Sequence, residues 1–378
     1  MPGASRIALL PGDGTGPEVL AQGERVLAAA AERFGLAIET QRYLCGAQYY
    51  AKTGREWEEG ALAACKASDA ILLGAVGWPG VSLPDGNIAG AGVVFGLRFG
   101  LDLYANVRPC KLYPGVRHNI SGTLAQVWKP ENVDCVIVRE NTEGLYTPAR
   151  GWLERGGQVE VAVDNNVITR KGSQRVIEFA FQLSERRAGA PKDHKKRVTC
   201  IDKSNVLRGS QLFRLVYDEV AARHPGIEKD YAYVDAFCQW MLRQPESYDV
   251  AVATNMMGDI VTDLAAVLQG GMGMAAGGNI GDKHAMFEPI HGSSPKHAGK
   301  DAVNPMATVA AVQMMLEWLG HRRGDGKFLD AARAIDAAVE AVCRDGKTLT
   351  YDLGGTAKCS EVGAAIAERV RQATSYGQ

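Results

Sequence analysis

The chain has 378 residues, 46% of them hydrophobic and 22% charged, and this length predicts two lobes rather than a single core. Its formal net charge of −1 gives no reason to expect a nucleic acid or an anionic membrane as a partner. Scattered cysteines without a C-x-x-C pair, no signal peptide and no bilayer-length apolar run predict a cytoplasmic protein.

Strand-like and helix-like segments alternate along the chain. Short apolar runs predict strands at residues 6–10, 70–73, 133–139, 197–202 and 249–254. Amphipathic periodicity predicts helices at residues 17–34, 174–185, 209–223 and 260–268. The alternation indicates an α/β architecture in which many strands pair in parallel.

Two segments interrupt this alternation. Residues 147–169 are rich in glycine and charge and contain an alternating run at 158–163, which predicts a projecting hairpin or arm. Residues 269–282 are crowded with glycine and methionine and are predicted to form a loop.

A glycine-rich turn follows the first predicted strand. Residues 12–16 read Gly-Asp-Gly-Thr-Gly, and Pro17 suits the first turn of the next helix. The spacing G-x-G-x-G differs from the G-x-G-x-x-G of a dinucleotide-binding fingerprint. Taken alone, the turn is more typical of a structural connection than of a cofactor site.

Two aspartates are the most specific local signal for a metal site. Asp259 and Asp263 lie four residues apart on one face of a predicted helix, where like charges need compensation. Carboxylate oxygens favour Mg²⁺ or Mn²⁺ over zinc. Asp235, which ends the strand-like run 231–234, is a third candidate ligand. The competing interpretation is a set of solvated surface carboxylates.

Arg98, Arg108 and Arg139 lie at or near apolar segments. Because a guanidinium can bind a carboxylate through two hydrogen bonds, this set suits a substrate with two carboxylates. Structural ion pairing explains the arginines equally well. Lys203 and Tyr146 are candidates for proton transfer, although either residue taken alone is more often ordinary.

Longer motifs follow one another in a fixed order. They are LLPGDG at 9–14, LDLYANVRP at 101–109, RENTE at 139–143, DKSNV at 202–206, FEPIHGSSP at 287–295, NP at 304–305 and DLGG at 352–355. Together they resemble the β-decarboxylating dehydrogenases, the family of isocitrate and 3-isopropylmalate dehydrogenases.

The resemblance implies a two-lobed α/β fold that is not the Rossmann fold. Residues 1–104 and 250–378 would form a large cofactor-binding lobe, and residues 105–249 a small central lobe, with a cleft between the lobes. The small lobe would form a homodimer with shared active sites. The arm of one subunit, at about 147–169, would interlock with its partner.

The resemblance also assigns roles to individual residues. The substrate carboxylates would be bound by Arg98, Arg108 and Arg139, and the wall of the substrate site would contain Val94 and Phe95. Catalysis would use Tyr146 and Lys203, and the metal would be bound by Asp259 and Asp263 of one subunit and Asp235 of the other. The cofactor would be bound by Glu288, His291, Gly292, Ser293 and Asn304.

The implied reaction is a metal-dependent oxidative decarboxylation of a small 2-hydroxy diacid. The metal would lower the pKa of the substrate hydroxyl, and Lys203 would help to remove its proton. Hydride would pass from C2 to NAD or NADP. The resulting 2-oxo acid would lose CO₂, and Tyr146 would deliver a proton to C3.

Residues 90–98 depart from the substrate patterns of the family. Isocitrate enzymes usually carry Ser and Asn where this chain has Gly92 and Val94, so isocitrate and homoisocitrate are the less favoured alternatives. Isopropylmalate enzymes carry Glu at the position of Ala91, whereas Val94 and Phe95 keep the wall apolar. We expect a malate with an apolar or small 3-substituent, with D-malate and tartrate left open.

Lys296 and His297 stand where NAD-using members commonly carry an Asp that binds the ribose hydroxyls. A cation there suits a 2′-phosphate, with assistance from Tyr351, so the sequence favours NADP over NAD. A surface lysine beside a site of dual specificity is the alternative.

Two other classes of protein compete with this interpretation. A non-catalytic regulatory subunit would have lost ligands, yet the candidate catalytic and metal-binding residues are all present. A Rossmann dehydrogenase that used the N-terminal turn would need neither a metal nor CO₂ release.

Overall fold

The structure is a computed structural model that describes residues 3–374. The strands are β1 (Ser5–Leu10), β2 (Ile38–Arg42), β3 (Ala70–Leu73), β4 (Ala105–Lys111), β5 (His118–Ile120), β6 (Thr123–Ala125), β7 (Asp134–Glu140), β8 (Arg150–Arg155), β9 (Gln158–Asp164), β10 (Arg197–Asp202), β11 (Glu228–Tyr233), β12 (Val250–Ala253), β13 (Ala276–Ile280) and β14 (Ala285–Pro289). The helices are α1 (Gly16–Phe34), α2 (Ala47–Thr53), α3 (Ala61–Ala67), α4 (Ala91–Gly100), α5 (Arg170–Arg186), α6 (Arg208–Ala221), α7 (Val234–Arg243), α8 (Asn255–Leu268), α9 (Met306–Arg323), α10 (Gly326–Asp345) and α11 (Cys359–Gln372). The predicted α/β class is confirmed.

The described chain forms two compact units. Unit 1 comprises the chain up to Leu103, Leu112–Pro130 and the chain from Ala266 onward, and unit 2 comprises Tyr104–Lys111 and Glu131–Ala265. The lobes expected from the sequence stay a prediction; the units differ from them mainly at residues 112–130 and 250–265. No helix within residues 3–374 has the length and apolar character needed to cross a membrane.

In unit 1, five strands lie in the order β2-β1-β3-β14-β13. Every neighbouring pair is parallel except β13 with β14, which is antiparallel. The run 70–73 is buried along its whole length, as expected for a strand covered on both faces. Helix α1 packs against α11, and α9 packs against α10.

The prediction of a loop across residues 269–282 was wrong for its second half, which forms β13. All five residues of this strand are buried, and they pair with β14 in register from Ala276↔Pro289 to Ile280↔Ala285. A Cβ added at Gly278 would lie only 3.1 Å from the Phe287 ring. Glycine therefore serves close packing here and does not mark a turn.

In unit 2, five strands lie in the order β11-β10-β12-β7-β4. Pairing is parallel from β11 through β7, and β4 joins β7 antiparallel. Helices α5 and α6 pack against each other, with the Phe181 and Tyr217 rings 5.5 Å apart between their centroids. The parallel strands bring the residues that follow β10, β11 and β12 to the same edge of the sheet.

The predicted arm is a hairpin, as expected. Strands β8 and β9 pair antiparallel, and their register shifts between Leu153 and Glu154. Every residue of both strands is exposed in the single chain, including Trp152 and Val161. An apolar two-stranded ribbon of this kind is marginal in water unless another surface covers it.

Candidate functional site

The main candidate site in unit 2 is a group of side chains around Asp259, which we call the Asp259 cluster: Asn106, Arg108, Arg139, Tyr146, Asn255, Asp259, Thr262 and Asp263. Helix α8 begins at Asn255, directly after the buried strand β12. Its four-residue spacing places Asn255, Asp259 and Asp263 on one helix face, as the sequence predicts for the two aspartates.

Two arginines from neighbouring strands converge on this helix face. In the antiparallel β4–β7 pair, Asn106 is opposite Arg139 and Arg108 is opposite Ile137. Arg139 donates through Nε and Nη2 to Asn255 Oδ1, at 3.0 and 2.7 Å, and through Nη1 to Asp259. A Cβ at Gly258 would lie 2.7 Å from Arg139 Cβ, so glycine lets the helix rest on this arginine.

Arg108 connects the two carboxylates. It donates through Nη1 to Thr262 Oγ1 at 2.7 Å and to Asp263 Oδ1 at 3.3 Å, and through Nη2 to Asp259 Oδ1 at 3.4 Å. Its Nε donates to Asn106 Oδ1 at 3.0 Å. Only 8% of the Arg108 side chain and 3% of that of Arg139 is exposed, so Asp259 compensates two nearly buried cations.

Tyr146 completes the cluster from the segment after β7. Its hydroxyl donates to Asp259 Oδ2 at 2.9 Å, and its ring lies 5.3 Å from the Arg139 guanidinium carbon. The hydroxyl is therefore held at the same carboxylate that both arginines contact. The structure therefore brings five predicted site residues into one hydrogen-bonded group: Arg108, Arg139, Tyr146, Asp259 and Asp263.

The charges in this cluster are unevenly balanced. Burial raises the pKa of Asp263 above its ordinary value; Arg108 opposes this shift, and the neighbouring Asp259 carboxylate adds to it. The Asp263 side chain is nonetheless 58% exposed and contacts Arg108 only at 3.3 Å. The exposed side of this carboxylate leaves room for a further cation.

Lys203 and Asp235 form a separate pair in unit 2. Lys203 follows β10, and Asp235 lies in the first turn of α7, after the neighbouring parallel strand β11. Lys203 Nζ donates to Asp235 Oδ1, and this hydrogen bond lowers the pKa of Asp235. Within residues 3–374 no hydrogen bond or ion pair joins this pair to Asp259 or Asp263.

The carboxylates of one chain do not complete a metal site by themselves. Across the part of the chain that the structure describes, no group of three or more His, Cys, Asp or Glu side chains is placed to hold a metal ion. Asp259 and Asp263 supply two hard oxygen donors, fewer than Mg²⁺ or Mn²⁺ requires from protein and substrate together. The donor set therefore fits such a cation only with ligands from outside this chain.

In unit 1, the glycine-rich turn serves the fold through Asp13. This buried carboxylate accepts hydrogen bonds from the backbone N–H groups of Ala47, Gln48 and Gly77, at 2.7, 2.8 and 2.7 Å. Because three donors already surround it, Asp13 has a structural role, which agrees with the absence of a dinucleotide fingerprint in the sequence.

Arg98 also lies in unit 1, in the last turn of α4. It donates through Nε to Asn279 Oδ1 at 3.0 Å and through Nη2 to Glu288 Oε1 at 3.2 Å. Asn279 donates to the same Glu288 oxygen at 2.8 Å. A predicted substrate residue and a predicted cofactor residue are thus joined in one buried network with Asn279. Val94 and Phe95 lie on α4, both partly buried.

Three further predicted cofactor residues, His291, Gly292 and Ser293, lie just after β14. The Ser293 carbonyl accepts from the Thr15 N–H at 2.9 Å, which joins this segment to the glycine-rich turn. Burial lowers the pKa of His291 below its ordinary value. Burial thus favours the neutral form of His291, and its neighbour Gly292 is exposed.

The remaining predicted cofactor residues lie further along unit 1. Asn304 donates to Asp352 Oδ2 at 3.1 Å. The His297 and Tyr351 rings stack with centroids 5.5 Å apart and an angle of 18° between planes. Lys296 precedes this stacked pair and is exposed.

Sequence reasoning missed several residues that organise these sites. Asn255, Thr262 and Asn279 are buried amides or hydroxyls that position the arginines. The helical spacing offered a signal for Asn255, which stands four residues before Asp259 on the same face. No local pattern distinguishes Asn279, because its partners come from distant segments.

Comparisons with known proteins show the family to which the chain is similar. A family model described as isocitrate/isopropylmalate dehydrogenase matches residues 6–366. A 3-isopropylmalate dehydrogenase from Thermobifida fusca (strain YX) is 41% identical over 371 residues, covering 97% of this chain and 98% of the relative. A decarboxylating D-malate dehydrogenase from Escherichia coli (strain K12) is 38% identical over 373 residues, covering 96% and 97%.

Solved structures show the same similarity. A crystal structure of isocitrate dehydrogenase from Methylococcus capsulatus has a TM-score of 0.83 at 35% identity, covering 97% of this chain and 100% of that chain. A β-decarboxylating dehydrogenase from Thermococcus kodakarensis has a TM-score of 0.76 at 34% identity, covering 97% and 96%.

Proposed function

Because the chain belongs to the isocitrate/isopropylmalate dehydrogenase family, we propose that it oxidatively decarboxylates a 3-substituted malate with a nicotinamide cofactor and a divalent metal. The observation that carries this proposal is the Asp259 cluster. Two nearly buried guanidinium groups and a tyrosine hydroxyl converge there on a pair of carboxylates. Such a group matches a diacid substrate held beside a hard cation.

Each side chain then has a role that its chemistry supports. Arg108 and Arg139 would bind substrate carboxylates, with Arg98 as a third guanidinium. Lys203 would accept the proton of the substrate hydroxyl, and Tyr146 would donate a proton to C3 after CO₂ leaves. When bound, the nicotinamide would accept the hydride and the divalent cation would stabilise negative charge on the substrate oxygens.

The metal would be held by Asp259 and Asp263 of one subunit and Asp235 of the partner subunit. The exposed side of Asp263, next to Asp259 on the same helix face, supports a cation at this position. The Lys203–Asp235 pair also supports this arrangement, since both side chains are accessible in the single chain and could reach the site of a partner subunit. A homodimer with shared sites would bring the two groups together.

The exposed β8–β9 hairpin supports the dimer independently. Trp152 and Leu153 on β8 and Val159, Val161 and Val163 on β9 are all about half exposed or more in one chain. Apolar side chains on a two-stranded ribbon are a typical contact between subunits. The eight free cysteines among the described residues support a reducing, cytoplasmic location.

A substrate panel tests the proposed function. The purified protein would be assayed with Mn²⁺ and each nicotinamide cofactor on 3-isopropylmalate, D-malate, tartrate, homoisocitrate and isocitrate, following reduced cofactor and released CO₂. We expect equal amounts of reduced cofactor and CO₂ with at least one malate whose 3-substituent is uncharged. We expect no turnover after the divalent metal is removed by a chelator. Oxidation without CO₂ release, or turnover without any divalent ion, would exclude the proposal.

For the cofactor, we propose NADP. Exposed Lys296 stands beside the stacked His297 and Tyr351, and a cation at this position suits a 2′-phosphate. Lys296→Asp should lower kcat/KM for NADP by at least about tenfold and raise it for NAD, because it replaces attraction of the phosphate by repulsion. Lys300→Asp, at another exposed lysine, is the matched control. An unchanged ratio of the two cofactors in Lys296→Asp would refute the assignment.

A further inference from the structure

The first turn of α4 holds a carboxylate that comes from a distant segment. Glu56 lies in the loop between α2 and α3, and its Oε1 accepts from the backbone N–H groups of Gly90 and Gly92, at 2.7 and 3.0 Å. Gly90 is the residue before the helix, and because it is glycine it has no side chain that could accept a hydrogen bond from the first N–H groups of the helix. Glu56 therefore occupies the donors that an anion at this helix start would otherwise use.

The space beside Gly92 is filled by the same carboxylate. A Cβ built at Gly92 would overlap Glu56 Oε2, and one at Gly96 would lie 3.0 Å from the Trp57 ring. Consecutive residues Glu56 and Trp57 thus cover the helix at two positions one turn apart. Within residues 3–374, both backbone donors lie on Oε1 and none lies on Oε2, so the second oxygen of this carboxylate faces its surroundings without a hydrogen-bond donor from the protein.

We propose that Glu56 is a specificity-determining residue that restricts the substrate to malates with an uncharged 3-substituent. This inference rests on the proposed function and on the expectation from the family resemblance that Val94 and Phe95 of α4 line the wall of the substrate site. By the family resemblance, Gly92 stands where isocitrate enzymes usually carry a serine that holds the third carboxylate of the substrate. In this chain, the space in front of that position already contains a carboxylate of its own.

The exclusion follows from charge as well as from space. A third substrate carboxylate at the first turn of α4 would find the two N–H donors occupied and a second anion within a few ångström. Like charges at such separation disfavour each other strongly where water is partly excluded. A neutral group of the same size meets the same steric limits without the repulsion, so charge and size can be separated by experiment.

The test compares Glu56→Gln with the wild-type protein on two matched ligands. One is isocitrate, and the other is its analogue 3-(carbamoylmethyl)malate, in which a neutral amide replaces the third carboxylate. Gln keeps an oxygen acceptor for Gly90 and Gly92 and removes the charge. We expect kcat/KM for isocitrate relative to the amide to rise at least about tenfold in Glu56→Gln, since one repulsive pair is lost.

Glu59→Gln is the matched control, because Glu59 lies in the same loop with its side chain 85% exposed. It should leave the ratio of the two ligands unchanged. A measurement that needs no variant is competition against 3-isopropylmalate turnover, in which isocitrate should inhibit the wild-type protein at least about tenfold more weakly than the amide.

Several results would overturn the inference. They are equal use of isocitrate and the amide by the wild-type protein, an unchanged ratio in Glu56→Gln, and the same rise in Glu59→Gln. If no diacid is turned over at all, the proposed function fails and this inference fails with it. If malates with a neutral 3-substituent are turned over but Glu56→Gln leaves the ratio of kcat/KM for isocitrate to that for the amide unchanged, the proposed function stands and only the role of Glu56 is rejected.

Discussion

Replacing Asp259 with Asn should lower turnover of a hydroxy diacid by at least about a hundredfold, because the change removes charge where the substrate and a cation would be held. It should also destabilise the fold by about 1–3 kcal/mol, since Arg108 and Arg139 are nearly buried and would lose their shared counter-ion. Steady-state rates and chemical denaturation would measure the two effects separately.

The matched control for this prediction is Glu219→Gln. Glu219 forms an ion pair with Arg170 in the same unit, and both side chains are about half exposed. Loss of this exposed pair should change neither turnover nor stability appreciably. Wild-type turnover in Asp259→Asn would show that the Asp259 cluster is a structural ion-pair network and would remove the basis for the proposed site.

A mixed dimer of two inactive variants should recover activity. If Lys203 of one subunit acts beside Asp259 of the other, then a dimer of Lys203→Ala with Asp259→Asn contains one intact site and one doubly altered site. Co-expressed chains with different tags, purified through both tags, should therefore show about half of the wild-type turnover, whereas each variant alone is nearly inactive. Turnover per dimer is the measurement.

The ion pair between Lys203 and Asp235 provides a sharp control for this experiment. Both residues belong to the same group in one subunit, so a mixed dimer of Lys203→Ala with Asp235→Asn would leave each site with one defect. We expect no recovery in that dimer. Recovery there, or its absence in the dimer of Lys203→Ala with Asp259→Asn, would show that these residues are not divided between subunits in the proposed way.

The local periodicity of the chain was sufficient to predict most of its elements. The strands at 70–73 and 197–202 have the predicted bounds, and the hairpin of β8 and β9 lies within the predicted arm. The family assignment from ordered motifs is confirmed. Side-chain alternation and helical repeat are properties of consecutive residues, so they can be read without knowing what packs against them.

Glycine-rich segments of the sequence do not distinguish a turn from a closely packed strand. The segment that forms β13 was predicted to be a loop, because glycine in sequence indicates turns as readily as close packing. Only the neighbouring strand β14 and the ring of Phe287 decide between these alternatives. In the same way, the role of the turn at residues 12–16 depends on tertiary contacts, because Asp13 accepts hydrogen bonds from three backbone N–H groups of distant segments.

The sequence by itself determined that this is an α/β protein of the β-decarboxylating dehydrogenase type, with Asp259 and Asp263 on one helix face. The tertiary structure alone decided that Arg108 and Arg139 meet at Asp259, that Arg98 is held by Asn279 and Glu288, and that Glu56 covers Gly92. The reason is physical. Repeats along a chain follow from local backbone geometry, whereas contacts between distant residues depend on strand register and on side chains that fill the same space.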